Sequence, residues 1–338
     1  MLRRKPTIRE VAQHANVSAT TVSHVINNTR FVSDALCHRV HLAMDELGYQ
    51  PNALARSLRR GQTHTLGLIL PDSANPFFAE IGRNIEDCAF EQGYSLILCN
   101  TEGNLDREHI YVELLSQKRV DGIIIIAAGD HAHSLNALLE FKLPLVLVDR
   151  DLPGVHVDTV LVDNHEGGYL ATRHLIDHGH RCIGCIAGPS HLLASAQRVA
   201  GYYDALVEAG LPVKEDLIRR GDFHPESGLL ALAEFLELPE PPTAIFACND
   251  LMAIGALRAA DASGLRVPGD LALIGFDDIE LATYTTPPLS TISQPKKELG
   301  QLAVQMLLDR IQRYSGGFRY ELLRPRFITR KSCGDHTY

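Results

Sequence analysis

No tryptophan occurs among the 338 residues, and no apolar run is long enough to cross a bilayer. The second lack excludes a membrane-spanning helix, and the first narrows the aromatic means of holding a ligand. The basic start Met1-Leu-Arg-Arg-Lys-Pro6 is followed by no apolar signal core, so a cytoplasmic protein is expected. Cysteine is odd in number, with seven residues scattered through predicted helices and strands, which suits reduced thiols rather than a disulfide framework. No G-x-x-x-x-G-K-[ST] phosphate loop is present. The one metal-like cluster, His178, His180, Cys182 and Cys185, reads as structure. Gly179 ends a helix with histidines near its C-terminus, and cysteines three apart in a strand face opposite sides. No metal and no cofactor is predicted.

The net charge of −9 conceals a division. Residues 1–60 carry nine Lys/Arg against four Asp/Glu, a net of +5, which leaves −14 on the rest. A basic head on an acidic body confines phosphate contact to one end. The length allows two or three domains.

The head holds the strongest pattern, Thr7 to Asn28. Thr7 and Glu10 form a T-x-x-E capping box, in which each satisfies a free backbone donor of the first turn. Val11, Ala12 and Ala15 mark one apolar stripe. Ser18 offers a second N-cap, and Val22, Val25 and Ile26 mark another stripe. Two short helices joined by a tight turn follow, the second opening on small polar side chains that can touch base edges in a major groove. Ser33 is placed to cap a third helix with Leu36, Val40, Met44 and Leu47 at helical spacing, and Gly48 stops it.

Together with Arg30-Phe-Val-Ser33, Glu46-Leu-Gly-Tyr-Gln-Pro-Asn52 and Ala55-Arg-Ser-Leu58, this head resembles the headpiece of the lactose-repressor/galactose-repressor family of bacterial regulators. The resemblance implies operator contact through Thr7, Ser18, Ala19, Thr20, Thr21, Ser23, His24 and Asn28. Thr20 and His24 would read bases and Ala19 would offer a methyl, while Thr7, Ser18, Thr21 and Ser23 would position or cap. Pro51–Leu58 is too short for a stable helix alone, since about 12 to 15 residues are needed in water. By resemblance it is a hinge helix paired in the minor groove, with Ala55 and Arg56 on the DNA and Leu58 wedged into the central base step.

Beyond Gly61, β-branched apolar runs alternate with helical stretches, beginning at Thr65–Leu70 and continuing through Ser95–Cys99, Gly122–Ile126, Leu145–Val148, Thr159–Val162, Ile183–Ala187, Ala244–Ala247 and Leu271–Gly275. Such runs fit parallel strands covered on both faces. The expected fold class is therefore α/β. A three-helix helix-turn-helix headpiece and hinge precede a two-subdomain body of doubly wound sheets, similar to periplasmic sugar-binding proteins. The expected divisions are 1–50 for the headpiece, 51–61 for the hinge helix and linker, and 62–338 for effector binding and dimerisation. Subdomain 1 would take 62–162 and 293–323, and subdomain 2 would take 163–292 and 324–338, with crossings near 162, 292 and 323.

Ligands of open sheets bind at the carboxyl ends of strands. The polar and aromatic residues there are Asp72, Asn75, Phe77, Phe78, Asp149, Arg150, Arg198 (opening a helix), Phe223, Asn249, Asp277 and Gln294. Carboxylates, amides and arginines suit sugar hydroxyls, and phenylalanine rings suit sugar C–H faces. From Asn75 onward the set resembles the ribose-binding constellation of periplasmic ribose receptors. Surrounding blocks such as Tyr94–Gly103 and Thr286–Pro295 resemble ribose operon repressors of the family. D-Ribose acting as inducer is the expected effector. The alternative is a purine- or nucleoside-responsive repressor. The purine repressors of the family share the Val-Ser-x-Thr-Thr-Val-Ser-His-Val-Ile-Asn block, but carry Met-Asp-Trp where this chain has Val148-Asp-Arg150. Asp72, Asp149 and Asp277 could also cleave a glycosidic bond if suitably spaced. Hydrogen bonding to an unreacted ligand explains them better, so no catalytic residue and no enzyme is predicted.

The expected partners are double-stranded operator DNA, the small effector and a second copy of the chain, with no membrane. The homodimer face is expected around Ile81–Phe90. With no leucine heptad after Tyr314 and a polar tail Arg324–Tyr338, a tetramer is not expected.

Overall fold

The computed structural model describes residues 6–27, 30–49, 62–126, 129, 143–151 and 156–334. The chain forms two compact units that divide between Thr63 and His64. In the first, α1 (Ile8–His14), α2 (Ala19–Asn27) and α3 (Asp34–Leu47) enclose Val11, Val22 and Val40, each fully buried. Burial of one such side chain stabilises by roughly 1.5–3 kcal/mol. The capping box at Thr7 is formed in both directions. Gly48 ends α3 with φ +62°, a left-handed turn that a Cβ would disfavour. Ser33 departs from its expected role: it occupies the N-cap position, but its side chain makes no cap hydrogen bond. Its carbonyl instead accepts from Leu36 and Cys37, and Asp34 complements the first-turn dipole.

The second unit contains two six-stranded sheets. The first comprises β1 (Thr65–Leu70), β2 (Ser95–Asn100), β3 (Gly122–Ile125), β4 (Leu145–Val148), β5 (Asp158–Val162) and β11 (Tyr320–Leu323), in the order β11-β5-β4-β3-β1-β2, all parallel. The second comprises β6 (Ile183–Ala187), β7 (Ile218–Arg220), β8 (Ala244–Ala247), β9 (Ala272–Asp277), β10 (Ser290–Ser293) and β12 (Arg326–Ile328), in the order β12-β10-β9-β8-β6-β7. Only the β10–β12 pair is antiparallel. The connecting helices are α4 (Pro76–Glu91), α5 (Leu105–Gln117), α6 (Asn164–Asp177), α7 (Leu193–Glu208), α8 (Pro225–Leu236), α9 (Asp250–Ala262) and α10 (Lys296–Ile311). The chain leaves the first sheet after Val162, returns after Ser293 and leaves again after Leu323. These three crossings make each sheet the floor of a separate subdomain.

Close packing fixes the second subdomain. A Cβ at Gly168 of α6 would fall 2.0 Å from the Arg198 carbonyl oxygen of α7, and one at Gly201 of α7 would fall 2.1 Å from the His165 carbonyl oxygen. The two helices therefore meet backbone to backbone. Two sequence expectations are corrected here. Arg198 lies in the second turn of α7 rather than at its opening. The segment from Arg324 onward is no polar tail: β12 pairs with β10, and Ser332 and Cys333 are buried. Along α4, Ile81 and Ile85 turn into the core, while Arg83, Asp87 and Phe90 are exposed.

Candidate functional site

The first candidate site is the headpiece. Ser18 Oγ accepts from Thr21 N at 3.0 Å and lies 2.8 Å from Thr21 Oγ1, so these two hydroxyls cap α2. Ser23 accepts from Asn27 Nδ2 through its carbonyl at 2.6 Å. Ala19 is half-buried against the three-helix core, whereas Thr20 is exposed on the opening turn and His24 is half-exposed one turn later. The sequence reading missed Arg39. From α3 its Nη2 donates to the carbonyls of Ala15 and Asn16, at 2.5 and 3.0 Å, and clamps the turn. Asn16 there adopts φ +51°, a left-handed conformation that Asn tolerates. Asn28, Ala55, Arg56 and Leu58 lie outside the described residues.

The second candidate site is a small cavity of about 30 Å³ between the two subdomains. Asn75, Phe77, Phe78, Asp149, Arg150, Arg198, Phe223, Asn249 and Asp277 all line it, joined by Leu192 and Ala194, which the sequence did not suggest. It widens into a mouth where Asp72 lies with Asn75, Phe78, Arg150 and Phe223. Asp72 also accepts from Ala74 N at 2.8 Å and so stiffens its own loop. Gln294 reaches the site through its neighbour, since its Nε2 donates to Asp277 Oδ1 at 2.8 Å.

Each side chain is held from behind. Asn75 caps α4 by accepting from Phe77 N at 3.0 Å, which sets the Phe77–Phe78 pair at the cavity edge with ring centroids 5.1 Å apart. Asn249 spends both ends on protein: Nδ2 donates to the Phe223 carbonyl at 3.0 Å, and Oδ1 accepts from Met252 N at 2.9 Å. It positions Phe223. The Phe223 ring also rests where a Cβ on Gly188 would stand, 2.2 Å away, so any side chain at 188 would have to displace the ring. Arg198 donates through Nε to Asn164 Oδ1 at 2.8 Å and through Nη1 to the Cys248 carbonyl at 2.6 Å. Its guanidinium lies 3.8 Å from the Phe276 ring centroid and 3.5 Å from Asp277 Oδ1.

Three lining residues at strand ends adopt positive φ without being glycine: Asp149 at +64°, Phe223 at +69° and Asp277 at +112°. Such conformations cost on the order of 1–3 kcal/mol each and persist where surrounding contacts enforce them, typically at ligand sites. Burial raises the Asp149 carboxyl above its ordinary range despite Arg150 and Arg198. Burial also lifts Asp277 to about 7, against the pull of Arg198, Gln294 and Lys296. Asp149 Oδ1, Gln294 Oε1 and Ser195 Oγ are buried and have no hydrogen-bond partner. An unmet buried acceptor costs about 1–3 kcal/mol, so Asp149 Oδ1, in the cavity wall, offers a ligand a place to donate a hydrogen bond. Among the described residues no group of His, Cys, Asp and Glu could hold a metal ion, and no helix is long and apolar enough to cross a membrane.

A family model described as bacterial regulatory proteins, lacI family, matches residues 7–52. Another, described as periplasmic binding proteins and sugar binding domain of LacI family, matches residues 63–329. The chain belongs to the LacI family of bacterial regulators. It is similar to HTH-type transcriptional repressor PurR of Aliivibrio salmonicida (strain LFI1238), at 44% identity over 328 residues, which is 96% of this chain and 98% of that one. The lac repressor dimer bound to operator and the anti-inducer ONPF superposes with a TM-score of 0.88 at 30% identity, covering 98% of this chain and 100% of that one. A LacI family transcriptional regulator from Enterococcus faecium with bound ribose gives a TM-score of 0.73 at 33% identity, covering 80% and 98%. The protein is a DNA-binding transcriptional repressor of this family, not an enzyme.

Proposed function

We propose that the chain grips operator DNA as a homodimer through α2, with Thr20 and His24 at base edges, and that an effector in the cleft sets the strength of that grip. The unpartnered Asp149 Oδ1 in the cavity wall carries the effector half of this reading, because it can accept a hydrogen bond from a ligand. Thermodynamic linkage requires that whatever the effector does to operator affinity, the operator does equally to effector affinity, typically by about 5- to 150-fold.

Two effector classes each have a specific observation in favour. Whole-chain similarity favours the purine or nucleoside alternative over ribose, since the PurR repressors it resembles are 41–44% identical over nearly their full length. In this reading Phe78 and Phe223 flank the base, and Asp149 and Asp277 take its N–H groups. The second reading, D-ribose, is favoured by the cleft itself. Two carboxylates, two arginines and phenylalanine faces match a small polyol, and a 33% identical regulator has been solved with ribose. Ligand choice resides in the site side chains rather than in the fold. Calorimetry with hypoxanthine, guanine, adenosine and D-ribose separates the classes. Heat with a base or nucleoside and none with ribose supports the first reading, and the converse supports the second. If none of the four binds, both readings fail. A gel shift with the bound ligand then assigns it as inducer or corepressor.

A further inference from the structure

The loop from Asp277 to Glu280 belongs to the second subdomain, yet its backbone is gripped from the first. Its side of the second subdomain is tied internally. Asp278 Oδ1 accepts from Arg330 Nη2 at 2.6 Å, and Ile279 N donates to Asp250 Oδ2 at 2.9 Å. The carbonyls of Asp277 and Asp278 point the other way and accept from Lys296 Nζ, at 2.9 Å for Asp277. Lys296 opens α10, a helix that packs on α4 and on β3, β4 and β5 of the first subdomain. The same ammonium lies 2.8 Å from Glu80 Oε2 on α4, and Glu80 Oε1 accepts the Glu280 amide at 3.2 Å. One cation and one carboxylate thus close a ring between the subdomains, directly behind Asp277.

We propose that Glu80 and Lys296 form a clasp across the cleft that positions Asp277 for the effector and ties effector occupancy to closure of the subdomains. The proposal rests on the cleft being the effector site. Glu80 stands three residues after Phe77 on α4, on the same helix face, so the clasp joins both walls of the cavity. Its chemistry suits a reversible contact. When the subdomains part, Lys296 and Glu80 remain paired because both belong to the first subdomain, and no buried charge is stranded. Of the groups held by the clasp, the Asp277 and Asp278 carbonyls and the Glu280 amide lose partners, and Glu80 is exposed enough for water to replace them.

The test uses full-length Lys296→Met and Glu80→Gln and the double variant. Calorimetry reads the ligand that binds the unaltered chain, and hydrogen exchange reads the Glu280 amide without any ligand. Lys296→Met is expected to weaken ligand binding at least tenfold and to speed Glu280 exchange at least tenfold. Glu80→Gln retains an acceptor for Glu280 and should weaken ligand binding less than fivefold. The double variant should bind no more than twofold worse than Lys296→Met, because the two residues act as one unit. Unchanged ligand affinity together with unchanged Glu280 protection in Lys296→Met overturns the clasp. Should the unaltered chain bind none of the four ligands, the effector reading fails on its own, while the exchange measurement still decides whether the clasp exists.

Discussion

Raising the pH from 5.5 to 8 should destabilise the ligand-free protein through one buried carboxyl group. Burial holds Asp277 at about 7, whereas in the unfolded chain it titrates near its ordinary 3.8. For a carboxyl raised in the folded state, both states are protonated below 3.8 and nothing is lost. Between 3.8 and 7 the unfolded chain ionises first, so stability falls as pH rises, and above 7 the loss is complete. Each pH unit in that window is worth about 1.36 kcal/mol, so the stretch from 5.5 to 7 removes roughly 2 kcal/mol. Urea unfolding at pH 5.5 and 8, with Asp277→Asn as control, reads this carboxyl together with its coupling to the neighbouring buried carboxyls of Asp149 and Asp250. The Asn variant should lose about 2 kcal/mol of the pH dependence. A ligand that donates to ionised Asp277 should also bind about 30-fold more weakly at pH 5.5 than at pH 8, with proton release near neutrality seen as a buffer-dependent heat. An Asn variant that keeps the full pH dependence refutes this account.

Three further outcomes are expected. Gly188→Ala should push the Phe223 ring aside and weaken effector binding by about tenfold with only a small change in melting temperature, read by calorimetry and thermal unfolding. Arg39→Met removes two donors to the α1–α2 turn and should destabilise the headpiece by roughly 1–3 kcal/mol, lowering operator affinity in a gel shift while effector binding is unchanged. Asp158 is buried, yet donors from Arg310 and Arg319 outweigh that burial and hold its carboxyl low. Its contribution is therefore present above the ordinary 3.8 and lost as pH falls below it, and Asp158→Asn should cost about 3 kcal/mol in urea unfolding at pH 7.

The strands that were legible in the sequence are those buried on both faces. β3, β4 and β8, and β1 after Thr65, read as unbroken apolar runs because their residues are buried. β7 and β12 are three residues long and partly exposed, and β11 has an exposed Tyr-Glu-Leu-Leu pattern, so periodicity carried no signal for them. In the cleft, charged and aromatic residues after strand ends announced themselves. Leu192 and Ala194 did not, since small apolar residues look the same in a pocket wall as in a core. Asn164 was missed for another reason: its role is to fix Arg198, a contact between residues 34 apart that only the fold creates. The opposite error at Ser33 has a similar cause, because a capping residue type does not guarantee that its hydroxyl turns inward.

The backbone-to-backbone seat of α6 on α7 leaves no slack between the first crossing and Arg198. Asn164 begins α6 two residues after Val162, the last residue of β5, so any molecule that tugs the guanidinium pulls on the tether itself. The second lobe can then move only as a solid lever, and its bending is confined to the three short threads that join it to its neighbour.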